Sequence, residues 1–89
     1  MEKQKIVYIK NEYGLHARPA AQLAKKAADF HSEIFLQLEE FQADARSVLD
    51  ILSLAASQGK SLTISAKGPD AEEAIQMVEN FFSYSNGEY

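Results

Sequence analysis

Residues 14–20 read Gly-Leu-His-Ala-Arg-Pro-Ala, and the interpretation of the whole chain begins with this stretch. Glycine lets the backbone turn at residue 14, and the alanine-rich run over residues 17–28 has the composition of a helix. This order predicts that His16 lies at the start of that helix. Pro19 is tolerated there because the N–H group of a residue in the first helical turn would have no acceptor.

A helix start with these side chains can hold an anion. The first amide N–H groups of a helix lack partners within it, and the helix dipole adds roughly half a positive charge at the same end. Arg18 contributes a permanent charge whose forked geometry suits phosphate, and the neutral ring of His16 offers a lone pair that attacks phosphorus. We therefore expect His16 to accept a phosphoryl group that the Arg18 side chain and the amides of Ala17 and Arg18 stabilise. The alternative for His16 is an exposed helix-cap histidine without a function, and the alternative for Arg18 is an ordinary surface cation.

Length and composition exclude several classes of protein. The 89 residues are expected to form a single domain, 1–89, and their 46 % hydrophobic and 25 % charged content is that of an ordinary globular protein. The net charge of −4, without a basic stripe, argues against binding to nucleic acid.

Metal sites and membrane insertion are not expected either. Cysteine is absent, which excludes disulfides and thiolate ligands. His31 is expected to be a solvated residue or a partner of the helix dipole at the end of the first helix, so we predict no metal site. No apolar run approaches the length of about 18 residues that spans a membrane, and no signal-peptide pattern opens the chain. We therefore expect a cytoplasmic protein.

Hydrophobic patterns predict seven elements. Apolar residues alternate over residues 5–10, 32–39 and 41–43 and again from Leu62 to Ala66, which indicates strands. One helix is expected over residues 17–28. Two more are expected after Ser47 and after Asp70, because an acidic residue stands three positions after each of these two capping residues. Residues 83–89 are polar and expected to fray. One face of the first strand is expected to lie on the core, either Val7 with Ile9 or Ile6 with Tyr8. The other residues expected to face the core are Ala20, Leu23, Ala24, Ala27, Ala28, Ile34, Leu36, Leu38, Leu62, Ile64, Ala66, Ala71, Ala74, Ile75, Val78, Phe81 and Phe82. This order of elements predicts an α+β fold with helices on one face of an antiparallel sheet.

Two stretches together closely resemble one protein family. Residues 14–20 and the sequence Ser-Val-Leu-Asp-Ile-Leu-Ser-Leu over residues 47–54 resemble the HPr family, the histidine-containing phosphocarriers of the bacterial phosphoenolpyruvate-dependent sugar phosphotransferase system. The resemblance covers nearly the whole chain. It implies an open-faced two-layer sandwich, βαββαβα, with three helices on one face of four strands in the order 1-4-2-3.

The resemblance also implies an activity. Enzyme I would phosphorylate His16 on Nδ1, with phosphoenolpyruvate as ultimate donor, and enzyme IIA proteins would receive the phosphoryl group. Such a protein is a carrier that forms a transient phosphohistidine and needs no cofactor, rather than an enzyme with a small-molecule substrate of its own. It would act as a monomer.

Ser47 has two interpretations that can both hold. As a helix N-cap, serine contributes about 1 kcal/mol to stability. The resemblance also permits a regulatory phosphosite, modified by HPr kinase/phosphorylase. Asp50 stands where most family members have glycine, and we expect its carboxylate to accept a hydrogen bond from the Ser47 N–H and to oppose a phosphate on Ser47.

The apolar residues Val48, Leu49 and Leu52 of the second helix are interpreted first as core. A helix this short cannot bury all of them, so some are expected to form a docking face for partners. The candidate docking residues are Ala17, Ala21, Val48, Leu49 and Leu52. A competing hypothesis is a regulatory HPr-like binding module that signals through Ser47 or in the nitrogen-related branch, without sugar transport. The presence of His16 argues against a module that has lost phosphotransfer.

Overall fold

The computed structural model describes residues 1–83 and contains the predicted order of elements, βαββαβα. The strands are β1 (Glu2–Tyr8), β2 (Glu33–Leu38), β3 (Phe41–Asp44) and β4 (Ser61–Lys67), and the helices are α1 (Ala17–Ala27), α2 (Val48–Ser53) and α3 (Ala71–Ser83). The predicted fraying of residues 83–89 concerns, beyond residue 83, a segment outside the described residues.

The four strands form one antiparallel sheet in the order β1-β4-β2-β3, which confirms the order implied by the resemblance. Leu36 of β2 lies between two partners, Ile64 of β4 and Ala43 of β3. Since opposed residues in antiparallel strands point to the same face, this register forms a continuous apolar row across the sheet. The opposite face carries Ile6 and Tyr8, which are exposed.

One hydrophobic core fills the space between the sheet and the helices. α3 packs on β1 and β4, and α1 packs against α2 and α3. The largest fully buried side chains include Phe82, Ile9, Leu23, Ile34, Leu36, Ile51, Leu62, Ile64 and Val78. Nearly all the predicted core residues are buried, while Leu38 and Phe81 are half-buried and pack against the core. The predicted two-layer α+β sandwich is confirmed.

The boundaries of two elements differ from the sequence prediction. β1 spans Glu2–Tyr8 instead of residues 5–10, and its first residues pair in register with β4. Ile9 remains buried beyond the strand end and donates its N–H to the Lys60 carbonyl at 2.9 Å. α1 ends at Ala27, so the prediction that Ala28 faces the core was wrong: it is the helix C-cap and is exposed.

The turn between β2 and β3 closes without glycine. Glu39 takes a left-handed backbone conformation, with φ of 56°, which is uncommon for a residue with a Cβ. The Gln37 side chain donates a 3.1 Å hydrogen bond to the Glu39 carbonyl. This side-chain contact and the paired strands hold the turn.

Candidate functional site

His16 lies at the start of α1, as predicted. It is the N-cap residue, with extended backbone angles (φ −91°, ψ −169°), and its carbonyl accepts the first helical hydrogen bond from the Ala20 N–H at 3.0 Å. Within residues 1–83 its side chain makes no capping hydrogen bond. The imidazole is half-buried. The ring therefore stands beside the first-turn amides of Ala17 and Arg18, which have no helical acceptor, without being used as a cap.

The turn before His16 requires glycine. Gly14 has φ of +69°, and a Cβ there would lie 2.5 Å from the Ala56 carbonyl oxygen. The next residue, Leu15, donates its N–H to that same oxygen at 2.9 Å. The carbonyl group of Ala56, after α2, thus approaches Gly14 so closely that only glycine fits there. Its hydrogen bond to Leu15 holds the chain directly before His16.

Tyr13 contacts His16, and the sequence analysis missed this residue. The two rings meet edge to face, with centroids 6.0 Å apart and an interplanar angle of 87°. The Tyr13 side chain is 76 % exposed, so it does not belong to the hydrophobic core. An aromatic residue three positions before the histidine was the available signal.

Arg18 occupies the second position of α1 and is exposed. Among residues 1–83, an ion pair joins Lys5 of β1 and Glu79 of α3 at 3.7 Å, and Arg18 takes no part in it. Its guanidinium is therefore accessible to an anion near His16. The arrangement combines a nucleophilic nitrogen, two backbone donors and a cation at one helix end.

Ser47 caps α2, as predicted. Its Oγ accepts a hydrogen bond from the Asp50 N–H at 3.1 Å, and the residue is half-buried. The second half of the expected capping box was wrong. The Asp50 carboxylate accepts from the Asp44 N–H at 3.2 Å, while the Ser47 N–H donates to the Asp44 carbonyl at 3.0 Å. The Asp50 carboxylate therefore bonds to the end of β3 and not to the start of its own helix, and in this way it joins β3 to α2.

The candidate docking residues lie on α1 and α2, which pack against each other. Ala17 and Ala21 are exposed on α1. On α2, Leu49 is 77 % exposed and Leu52 is 36 % exposed, whereas Val48 is half-buried against the core. The short helix therefore leaves two leucine side chains accessible, and Val48 is exposed to a smaller fraction than the other four residues.

His31 lies after the opposite end of α1 and is exposed. Its backbone N–H donates to the Asp70 carboxylate at 2.9 Å. In the described part of the chain no group of histidine and acidic side chains is arranged to hold a metal ion. No helix there is long and apolar enough to cross a membrane.

The chain matches a known family model and several known proteins. The family model described as "PTS HPr component phosphorylation site" matches residues 3–83. The phosphocarrier protein HPr of Mycoplasma capricolum is 41 % identical over 71 residues, which cover 80 % of each chain. The phosphocarrier protein NPr of Shewanella violacea is 42 % identical over 78 residues, covering 88 % of this chain and 84 % of the relative.

Solved structures agree with the sequence relatives. The crystal structure of an HPr from Thermoanaerobacter tengcongensis superposes with a TM-score of 0.91 and 39 % sequence identity, covering 98 % of both chains. The region that the family model matches includes the His16 site and all seven elements except Glu2, the first residue of β1. The chain therefore belongs to the HPr family of phosphocarrier proteins of the phosphotransferase system.

Proposed function

We propose that this protein carries phosphoryl groups on His16, from enzyme I to enzyme IIA proteins, in sugar uptake in the cytoplasm. The observation that carries the proposal is the position of His16 as N-cap of α1, with its side chain unused as a cap within residues 1–83. The exposed Arg18 stands two residues away. Membership of the HPr family supports the carrier role.

The transfer step needs only groups of the two proteins. A ring nitrogen of neutral His16 attacks phosphorus with its lone pair and forms an N–P bond. The bond between phosphorus and the donor atom breaks, and its electron pair stays with the donor. The N–H groups of Ala17 and Arg18 and the Arg18 guanidinium stabilise the charge on the phosphoryl oxygens. The same steps in reverse direction pass the group to an acceptor, so the protein itself is regenerated.

We place the attacking lone pair on Nδ1, the ring nitrogen nearer the backbone. Nδ1 is the nitrogen from which a phosphoryl group would reach the first-turn amides of α1. Modification of His31 is not expected, because it lies beyond the other end of α1, away from these amides.

Incubation with enzyme I and phosphoenolpyruvate tests the proposal. We expect one phosphoryl group per chain, seen by intact mass, and a phosphorus NMR signal typical of Nδ1-phosphohistidine. His16→Ala should take up no phosphate, and His31→Ala, the matched control, should be labelled like the wild type. Label that survives in His16→Ala, or wild-type protein that takes up none, would contradict the proposal.

A regulatory role without sugar transport is the second candidate. The similarity to an NPr supports it, since the identity to that relative is 42 %, against 41 % for the HPr of Mycoplasma capricolum. Transfer from phosphorylated protein to sugar-specific enzyme IIA proteins decides between the two. If the phosphohistidine forms but no sugar-specific acceptor is phosphorylated, the regulatory role is correct.

Partner docking is proposed for the exposed apolar residues of α1 and α2. Ala17, Ala21, Leu49 and Leu52 offer accessible apolar surface, with Val48 beneath them at the core. Ser47 is proposed as a regulatory phosphosite for HPr kinase/phosphorylase at the start of the same α2 helix. NMR titration with enzyme I should shift the signals of the docking residues Ala17, Ala21, Leu49 and Leu52. Light scattering should find a monomer. Shifts confined to the opposite sheet face would contradict the docking proposal.

A further inference from the structure

We propose that Tyr13 is a positioning residue for His16: its ring holds the imidazole in one orientation for phosphoryl transfer. The inference rests on the proposed function of His16. It assigns a role to a residue that the docking and phosphate-binding groups do not include.

The contact between the two rings has the geometry of a favourable aromatic pair. Their centroids are 6.0 Å apart with an interplanar angle of 87°, inside the range of about 4.5–7 Å that edge-to-face pairs prefer. Tyr13 is 76 % exposed, which leaves contact with the half-buried His16 as the visible interaction of its ring. An aromatic side chain held at the surface against a reactive imidazole is better explained by that imidazole than by packing.

The backbone under Tyr13 is fixed on both sides. Its N–H donates to Asn11 Oδ1 at 2.9 Å, and the Gly14 N–H donates to the Asn11 carbonyl at 2.9 Å. Asn11 is buried, and Leu15 is tied to the Ala56 carbonyl. Tyr13 is therefore carried on a turn that the fold holds rigidly, so its ring can restrain a neighbour.

The restraint matters because, within residues 1–83, the His16 side chain makes no capping hydrogen bond that would hold it. An imidazole without a hydrogen bond turns about two side-chain torsions, and only orientations that present the attacking nitrogen near the first-turn amides are productive. An edge-to-face neighbour removes part of that freedom before the partner binds. Alignment of reacting groups raises the rate without tighter binding. The restraint comes from the ring and not from the phenol hydroxyl.

Three variants of the full-length chain test this role. Tyr13→Ser removes the ring, Tyr13→Phe keeps it, and Tyr8→Ser removes a tyrosine of similar exposure (58 %) from the outer sheet face. In the unphosphorylated proteins, NMR of the His16 ring protons should show a loss of the ring-current shift in Tyr13→Ser only. With enzyme I and phosphoenolpyruvate, kcat for Tyr13→Ser should fall about two- to tenfold, the range expected for losing one aromatic pair. KM for the carrier should stay unchanged, and Tyr13→Phe and Tyr8→Ser should behave like the wild type.

Other results would overturn the inference. Identical His16 ring shifts in wild type and Tyr13→Ser would mean that the contact is not formed in solution. A raised KM with unchanged kcat would make Tyr13 a docking residue instead. A fall in kcat that Tyr13→Phe shares would assign the effect to the hydroxyl. If the wild type takes up no phosphate at all, the carrier function fails separately, since the NMR comparison reads the ring contact without phosphate.

Discussion

The Asp70 carboxylate accepts a 2.6 Å hydrogen bond from the hydroxyl of Ser32, which is buried. The backbone N–H groups of Ser32 and His31 donate to the same carboxylate at 2.8 Å and 2.9 Å. These bonds join the start of α3 to the start of β2, 38 positions away in the sequence. The Ser32 hydroxyl, followed by the His31 N–H, lowers the pKa of Asp70 from 3.8 to about 2.

We expect the fold to lose stability in acid when the Asp70 carboxylate is protonated. Because the pKa of Asp70 is lower in the folded chain than in the unfolded one, the ionised form stabilises the fold above about pH 4. That contribution is lost as the pH falls from about 4 to about 2. Asp70→Asn should be less stable than the wild type at pH 6, with a difference that shrinks toward pH 2. Urea unfolding across this range measures it.

The control for Asp70 is Glu40→Gln, which neutralises an exposed carboxylate in the β2–β3 turn. Its effect on the free energy of unfolding is measured over the same pH range. A difference between Asp70→Asn and wild type that does not shrink toward pH 2 would show that the three hydrogen bonds do not favour the ionised form.

The sequence predicts those parts of the fold that repeat an apolar pattern. The elements, the buried face of β4 and the placement of His16 at a helix start were all predicted, and the strand order followed from the family resemblance. The first half of β1 was missed because Glu2, Lys3 and Gln4 are exposed on an edge strand, where no apolar residue marks the pairing with β4. Such pairing depends on the partner strand and not on the local pattern.

Side-chain partners in the site were harder to predict than the site itself. The spacing of Ser47 and Asp50 predicted the Ser47 cap correctly, because that bond lies within one helical turn. It failed for the Asp50 carboxylate, whose partner Asp44 belongs to a different element. The contact of Tyr13 with His16 likewise depends on how the turn over residues 11–14 folds. Tertiary placement decides both contacts.

Replacing Ala55 by glycine should stabilise the fold. Ala55 follows the C-cap residue Leu54 of α2 and has φ of 52°, a left-handed conformation that favours glycine. Ala55→Gly should therefore raise the free energy of unfolding by about 0.5–1 kcal/mol, the strain relieved less the added freedom of the unfolded chain. Ala21→Gly, an exposed substitution inside α1, should lower it by about 1 kcal/mol. Thermal unfolding of both variants checks the opposite signs, and a destabilised Ala55→Gly would contradict the expected strain.

Arg18 should affect transfer and leave the fold intact. Arg18→Ala removes a charge-assisted bond to the phosphoryl group, which corresponds to roughly a ten- to hundredfold slower transfer to and from His16. Arg18→Lys should lie between, because a point charge replaces the fork. Lys25→Ala removes an equal charge from the last turn of α1 and is the matched control. Rapid-quench transfer assays measure the rates, and equal rates in Arg18→Ala and Lys25→Ala would make Arg18 an ordinary surface cation.

Asp50 should slow the phosphorylation of Ser47. Its carboxylate belongs to the first turn of α2, three residues after Ser47, where it opposes the negative charge of a phosphate. Asp50→Asn removes the charge and keeps an oxygen that can accept from the Asp44 N–H, so stability should change little. The rate at which HPr kinase modifies Ser47 should rise about 1.5- to 2-fold, given the size of like-charge effects within a helical turn. The increase should shrink at high salt, because exposed charges are screened.

Asp50→Gly separates charge from structure. It also removes the hydrogen bond to the Asp44 N–H and places glycine inside α2, so the free energy of unfolding should fall by about 1–2 kcal/mol. Its Ser47 phosphorylation rate should nevertheless rise as in Asp50→Asn, since both variants lose the same carboxylate. A rate that rises in Asp50→Gly but not in Asp50→Asn would mean that loosening of the helix start, and not charge, controls access to Ser47.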